Sequence, residues 1–261
     1  MSDSRRTMRH ILITGATGAI GGALAVDWAA AGVTLHLHGR NRPALEALAE
    51  QCRARGAATV LHSPSLTDHD ELRRWITALD EEVTLDIAVA AAGVNTHSQH
   101  ENGEQWNQVK ELMELNFGAP IALTNCLAER MKQRGRGQIV LMSSLAGYFG
   151  LPVTPAYSAS KAGIKAYGEA MRGWLAPHGV KLNVVMPGYV SSKMCHEMPG
   201  PKPMLWTPAR ASRRIRRGLE RNQARISFPF PLNFGCWWLA VLPAAISQWI
   251  VGLAGYNGDH S

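Results

Sequence analysis

Near its N-terminus the chain runs from an apolar strand directly into a glycine-rich turn and then into a helix. Ile11 to Thr14 reads as the strand, Thr14-Gly15-Ala16-Thr17-Gly18-Ala19-Ile20-Gly21 as the turn, and Ala19 to Ala31 as the helix, closed by Gly32. Glycines here let the backbone turn tightly and approach a pyrophosphate closely. The helix start adds free N–H groups and a partial positive charge. The expectation is a phosphate cradle formed by Gly15, Thr17, Gly18, Ile20 and Gly21.

The same alternation continues down the chain. Strands are expected at Val33–His38, Ala58–His62, Leu85–Ala90, Gln138–Met142, Val180–Val185 and Ala224–Phe228. Helices are expected at Pro43–Arg55, Asp68–Leu79, Ala156–Leu175 and Thr207–Arg221, with a longer helical stretch from Glu104 to Arg134 that Pro120 interrupts or restarts. Repeated β-α units predict an α/β fold: a doubly wound parallel sheet with helices on both faces. With 261 residues, of which 46% are hydrophobic and 18% charged, the chain can bury a large core and is not a disordered sequence. Residues 1–228 read as one dinucleotide-binding catalytic domain, and 229–261 as an apolar extension that is not an independent domain.

The formal net charge of +7 suits a phosphate-bearing ligand or an anionic surface, and no nucleic-acid motif accompanies it. Cys52, Cys126, Cys195 and Cys236 lie far apart, which fits reduced thiols in a cytoplasmic protein rather than a zinc site. The apolar run Ile11-Leu12-Ile13 is too short for a signal-peptide core. His36 and His38 share a strand face, but two ligands do not make a metal site, so no metal is expected.

Two further patterns carry chemistry. The second strand ends in His38-Gly39-Arg40-Asn41-Arg42, without the carboxylate that holds ribose hydroxyls in NAD binders. Arg40 can pair with a 2′-phosphate by charge and forked hydrogen bonds, which favours NADP(H) over NAD(H). Tyr157-Ser158-Ala159-Ser160-Lys161 places Tyr157 and Lys161 one helical turn apart. An ammonium beside a phenol favours phenolate, so Lys161 is expected to lower the proton affinity of Tyr157. Ser143-Ser144 ends the fifth strand, on the side where parallel sheets bind ligands.

With these residues in hand, the chain resembles the short-chain dehydrogenase/reductase family, in its single-domain branch, from about Arg9 to Phe228. The resemblance implies a Rossmann-type sheet of about seven strands and a homo-oligomer. It implies Tyr157 as acid/base, Lys161 as its modulator and ribose ligand, Ser144 as the residue that orients the substrate carbonyl, and Asn116 as part of a proton relay. Ala92 and Gly93, then Pro187, Gly188 and Val190, correspond to segments that flank the cofactor. Three departures stand out. The turn is spaced Thr-Gly-x-x-Gly-x-x-Gly, as in the longer sugar-nucleotide-modifying branch; Ala90-Ala91-Ala92-Gly93 replaces Asn-Asn-Ala-Gly; and Pro64-Ser65-Leu66 stands where an aspartate commonly faces the adenine.

Substrate contacts are expected between Ser192 and Thr207, a stretch holding Met194, Met198, Met204 and Trp206 among Pro199, Pro201 and Pro203, with Pro208 just beyond; Met194 and Trp206, with Ser144 and Tyr157, are the expected substrate residues. Flexible methionines suit an adaptable apolar pocket, and equally a loop that packs on itself. Arginines then crowd positions 210–225, and Ile226 to Gly258 carries no charged residue while holding Trp237, Trp238 and Trp249. Three readings follow: a peripheral contact with an anionic membrane at its cytoplasmic face, packing against a subunit or the substrate pocket, or a membrane span. The sequence as a whole reads as an oxidoreductase exchanging hydride between NADP(H) and an apolar or lipid-like carbonyl/alcohol pair. The alternatives are a sugar-nucleotide-modifying reductase or epimerase and a non-catalytic NADP-binding membrane-associated protein.

Overall fold

The computed structural model describes residues 9–96, 103–198 and 200–256. The first eight residues, residues 97–102, Pro199 and the last five residues, where the charge-free run ends, lie outside it. The elements are β1 (Arg9–Thr14), α1 (Ala19–Trp28), β2 (Val33–His38), α2 (Arg42–Arg53), β3 (Ala58–His62), α3 (His69–Val83), β4 (Ile87–Ala90), α4 (Trp106–Met113), α5 (Ala119–Gln133), β5 (Gly137–Met142), α6 (Pro155–Leu175), β6 (Val180–Pro187), α7 (Lys193–Glu197), α8 (Pro208–Glu220), β7 (Arg225–Phe228), α9 (Leu232–Val241) and α10 (Ala244–Val251).

All seven strands are parallel, in the order β3-β2-β1-β4-β5-β6-β7. The order reverses between β1 and β4, and that crevice is where such sheets bind ligands. Strand periodicity divides the core between two layers. Ile11 and Ile13 join Leu24, Leu45 and Ile215 under α1, α2 and α8. Leu12 joins Ile76, Leu127 and Ile164 under α3, α5 and α6. Each such fully buried side chain contributes about 1.5–3 kcal/mol.

Local chemistry sets several boundaries. The fourth strand begins at Ile87 rather than Leu85 because Leu85 is already engaged: its N–H donates to Asp80 Oδ1 (2.9 Å) and its carbonyl accepts from Arg134 Nη2 (2.6 Å). Arg134 also grips the buried Asp80 carboxylate through both Nη atoms, at 2.7 and 3.0 Å. The long helical stretch breaks into α4 and α5 at a wide π-type turn, Glu114–Gly118, which carries Asn116; α5 then starts with Pro120 in its first turn. Helices α7, α9 and α10 were not expected from the sequence pattern. They are short, and the last two are separated at Pro243.

The histidines of β1, β2 and β3 form a ladder. Trp75 Nε1 donates to His62 Nδ1 (3.2 Å), His62 Nε2 meets His36 Nδ1 (3.2 Å), and His36 Nε2 meets His10 Nδ1 (3.1 Å). An indole nitrogen only donates, so His62 and His36 each accept on Nδ1 and donate from Nε2. Burial holds His36 and His62 down to about 4, assisted by His62 and His10 on the first and by His38 on the second. Among the described residues no cluster of three or more His, Cys, Asp or Glu could hold a metal ion.

Because the unfolded chain binds these protons near pH 6.5 and the folded chain resists them until about 4, stability is present above pH 6.5 and is lost as pH falls through that window. Urea midpoints measured across it should fall with decreasing pH. The slope should flatten in His36→Leu, whatever that substitution does to the midpoint itself.

Candidate active site

The turn after β1 lines one end of a cleft of about 1270 Å³ at the carboxyl ends of the strands. Gly15 has φ +66°, and a Cβ there would come within 2.6 Å of the Ala92 backbone; a Cβ on Gly21 would come within 2.5 Å of the Gly15 carbonyl. No side chain fits at either place without moving backbone, so β1, α1 and the segment after β4 meet at the closest approach the chain permits. Gly15, Thr17, Gly18, Ile20 and Gly21 all face the cleft, with Ala92 and Gly93 opposite. This cradle suits a dinucleotide pyrophosphate.

The end of β2 closes the next part of the cleft. Arg42 is engaged with Glu46 (2.7 Å) and Asn41 caps α2 through the Ala44 N–H (3.1 Å), which leaves Arg40 as the arginine on the cleft wall. His38 Nε2 donates to the Pro64 carbonyl (2.9 Å) and so holds the Pro64-Ser65-Leu66 wall in place. Burial keeps this imidazole neutral, lowering its pKa more than the Pro64 bond raises it.

Ser144, Tyr157 and Lys161 meet in the middle of the cleft. Ser144 follows β5 and takes the Ala146 N–H on its hydroxyl (3.2 Å), which fixes its direction. Ser143, its neighbour in the sequence, turns the other way: buried, it donates to the Lys161 carbonyl (2.7 Å) and ties β5 to α6. Lys161 is 5% exposed, and its ammonium donates to the Met142 carbonyl (3.0 Å) while lying 5.4 Å from the centre of the Tyr157 ring. Asn116 is 1% exposed and stands behind Gly93 rather than on the cleft surface. It bonds Val94 through both N–H (2.9 Å) and carbonyl (2.8 Å), and its Oδ1 and the Lys161 ammonium share the side of Gly93 where a Cβ would sit.

The expected lowering of the Tyr157 pKa is not the balance found. Burial pushes the phenol above its ordinary 10, and the neighbouring Ser144 hydroxyl pulls only part of the way back. Burial also lowers Lys161 to about 8. Desolvation acts on both groups, and the ammonium is directed at a backbone carbonyl.

Helix α6 has a cap the sequence pattern did not reveal. Thr154 precedes Pro155 but makes no capping bond; instead Glu104 Oε2 accepts the Ala156 N–H (2.9 Å), while Thr96 Oγ1 donates to Glu104 Oε1 (2.8 Å). A carboxylate from 52 residues upstream thus steadies the helix that carries Tyr157. Sequence distance hid it.

Beyond Tyr157 the cleft turns apolar. Pro187, Gly188 and Val190 form one wall with Met194, and Trp238, Leu239, Leu242 and Val251 cover the far side. Helices α9 and α10 therefore line the cleft, one of the three arrangements expected for the C-terminus; among the described residues no helix is long and apolar enough to cross a membrane. Trp206 does not join them. Its indole stacks on Phe228 (5.0 Å) beneath the Arg210 guanidinium (4.0 Å), and its backbone pairs with the segment around Val190. The far end is fastened by two phenols. Tyr256 Oη donates to the Pro201 carbonyl (2.6 Å), so the Tyr189–Tyr256 bond (2.6 Å) must carry the proton of Tyr189. Burial and this donation raise the Tyr189 pKa.

The family model for short chain dehydrogenases matches residues 9–201. An uncharacterized oxidoreductase of Myxococcus xanthus is 34% identical over 236 residues, covering 90% of this chain and 93% of that protein. Nodulation protein G of Rhizobium meliloti is 32% identical over 195 residues, covering 74% of this chain and 77% of its own. A short-chain dehydrogenase from Sphingobium yanoikuyae in complex with NADPH has the same fold, with a TM-score of 0.80 at 24% identity, covering 94% of this chain and 95% of that one. So does a bulky-bulky ketone specific alcohol dehydrogenase from Comamonas testosteroni, with a TM-score of 0.77 at 23% identity, covering 94% and 93%. Fold, family model and relatives agree, and the protein is an oxidoreductase belonging to the short-chain dehydrogenase/reductase family.

Proposed function

We propose that this protein reduces an apolar ketone or aldehyde with NADPH, with Tyr157 as the proton donor. One observation carries the reading: Ser144, Tyr157 and Lys161 stand together between a phosphate cradle and an apolar chamber. Bound in that cradle, NADPH supplies the hydride. Arg40, on the cleft wall, would hold its 2′-phosphate, and Lys161 its nicotinamide ribose. The protein's own residues handle the oxygen. Ser144 donates a hydrogen bond to the substrate carbonyl and orients it against Tyr157. As negative charge develops there, the Tyr157 phenol transfers its proton, and the nearby Lys161 ammonium stabilises the phenolate that remains. Asn116, locked by Val94, stands beside Lys161 behind Gly93, and in this reading it takes part in resupplying the proton.

Reduction is the direction proposed because the Tyr157 phenol, raised by burial, enters the site protonated at neutral pH, and the Lys161 ammonium is what offsets the cost of leaving it as phenolate. The far chamber supports an apolar substrate, since Leu239, Leu242 and Val251 there offer dispersion contacts and few polar partners. A sugar nucleotide would find little there to bond its hydroxyls, and a non-catalytic role leaves the gathered Ser144, Tyr157 and Lys161 without a use.

Tyr157→Phe should lower kcat/KM for ketone reduction by about 10²- to 10⁴-fold while NADPH still quenches protein fluorescence with unchanged Kd. Unimpaired turnover would overturn the proton-donor role. In the parent protein, reduction should weaken above pH 8 as Lys161 loses its charge, and Lys161→Arg should move that limb upward.

Arg40→Asp should raise the KM for NADPH by about 10- to 100-fold, the loss of a charge-assisted bond plus repulsion, and leave NADH little affected. Equal effects on both cofactors would remove Arg40 from the 2′-phosphate.

Tyr256→Phe deletes both the donation to Pro201 and the acceptance from Tyr189. The KM for a long-chain ketone should rise by about 5- to 10-fold, about the worth of one to two net hydrogen bonds, with that for a small ketone unchanged.

A further inference from the structure

Helices α9 and α10 have a second apolar side. While Leu239 and Val251 face the cleft, Trp249 is 65% exposed and Phe234 and Val241 are also exposed, and Phe230 just before α9 (77%) and Leu253 just after α10 (70%) extend the same kind of surface. Phe234, Trp237 and Trp238 form an aromatic cluster with centroids 5.2 to 6.0 Å apart. Ser247 Oγ donates to the Leu239 carbonyl (2.8 Å) and binds the two helices into one hairpin. No charged side chain interrupts residues 226–258. An outward apolar face of this kind on a protein marks a surface that is covered in use.

Charge identifies what covers it. Residues 193–258 hold nine Lys and Arg against Glu197 and Glu220; Arg216 and Arg225 are paired with Asp27 and Glu169 on other elements, and Arg210 and Lys202 are the cations beside the hairpin. Part of this charge borders the hairpin. Arg210 lies over Trp206, which stacks on Phe228 just before Phe230; Lys202 follows Pro201, whose carbonyl takes the Tyr256 proton at the hairpin's other end. A tryptophan-rich apolar face bordered by cations matches the interface of an anionic bilayer, where indoles sit at headgroup level and cations meet lipid phosphates. At 10 and 8 residues the helices are about 15 Å and 12 Å long, against about 30 Å of hydrocarbon, so they lie in the interface rather than cross it.

We propose that the α9–α10 hairpin docks on an anionic lipid bilayer and sets the apolar end of the cleft against it. Trp238 is 44% exposed and also lines the cleft, so only one helix separates chamber from lipid. An apolar carbonyl dissolved in the bilayer then reaches Tyr157 without crossing water. The delivery step rests on the reductase reading above; the docking itself does not.

The test is flotation of the full chain with vesicles of phosphatidylcholine, with and without phosphatidylglycerol. The chain should float with the anionic vesicles, less with the neutral ones, and less as salt rises. Trp249→Glu with Leu253→Glu should reduce the floated fraction by about tenfold or more while reduction of a water-soluble ketone stays unchanged. Recovery at the bottom of the gradient with both vesicle types overturns the proposal. So does sedimentation showing that the paired substitution converts a dimer to a monomer with no lipid effect, which would make this face a subunit contact. Flotation without NADPH consumption on any ketone would instead sink the reductase reading and leave docking intact.

Discussion

The ammonium of Lys161 is almost removed from water, and much of the site is arranged around that constraint. A buried cation needs partners, because desolvation of a charge opposes folding strongly. Its Nζ is held by the Met142 carbonyl at the end of β5, and its own carbonyl is held by Ser143 from the same strand end. Two bonds of opposite sense thus fix one residue of α6 to one strand terminus. Tyr157, a turn earlier, inherits its position from that attachment, and Ser144 follows directly on Ser143. Asn116 reaches the same point from the other side through a turn that departs from α-helical spacing to place it. The distribution of pKa values is a by-product: burial loosens the lysine's proton and tightens the tyrosine's.

Much of this frame was legible in the sequence because parallel β-α repeats carry strong local signals. β2 and β3 fall at the expected residues, and the glycine turn, Ser144, Tyr157, Lys161, Pro187 and Gly188 all border one cleft. What escaped depends on contacts between distant segments. The Tyr157–Lys161 spacing revealed proximity but not solvent exclusion, so the direction of the tyrosine shift was misjudged. Trp206 sits in a methionine-rich stretch that suggests a pocket, yet Phe228 claims its ring. Glu104 caps a helix far along the chain. Helices α9 and α10 lacked a readable period because both sides are apolar, one toward the cleft and one outward, and amphipathic periodicity needs contrast.

The apolar C-terminal segment and the nucleotide-binding frame share the cleft rather than dividing labour across separate bodies. Leu232 and Cys236 pack on the core layer under α6, and burial pushes the Cys236 thiol up to about 11, which makes it an inert packing group at neutral pH. The frame is common to the family, and the hairpin gives this chain its chamber.

The phenol pair at the far end has a mechanical consequence. Tyr189 belongs to the segment beside Gly188, Pro201 to the loop in front of the chamber, and Tyr256 to the turn that ends the described chain. Because the proton order runs one way, from Tyr189 to Tyr256 to Pro201, each bond strengthens the other by polarisation. Three pieces of the chain are thus tied end to end, and losing either bond frees one of them from the other two.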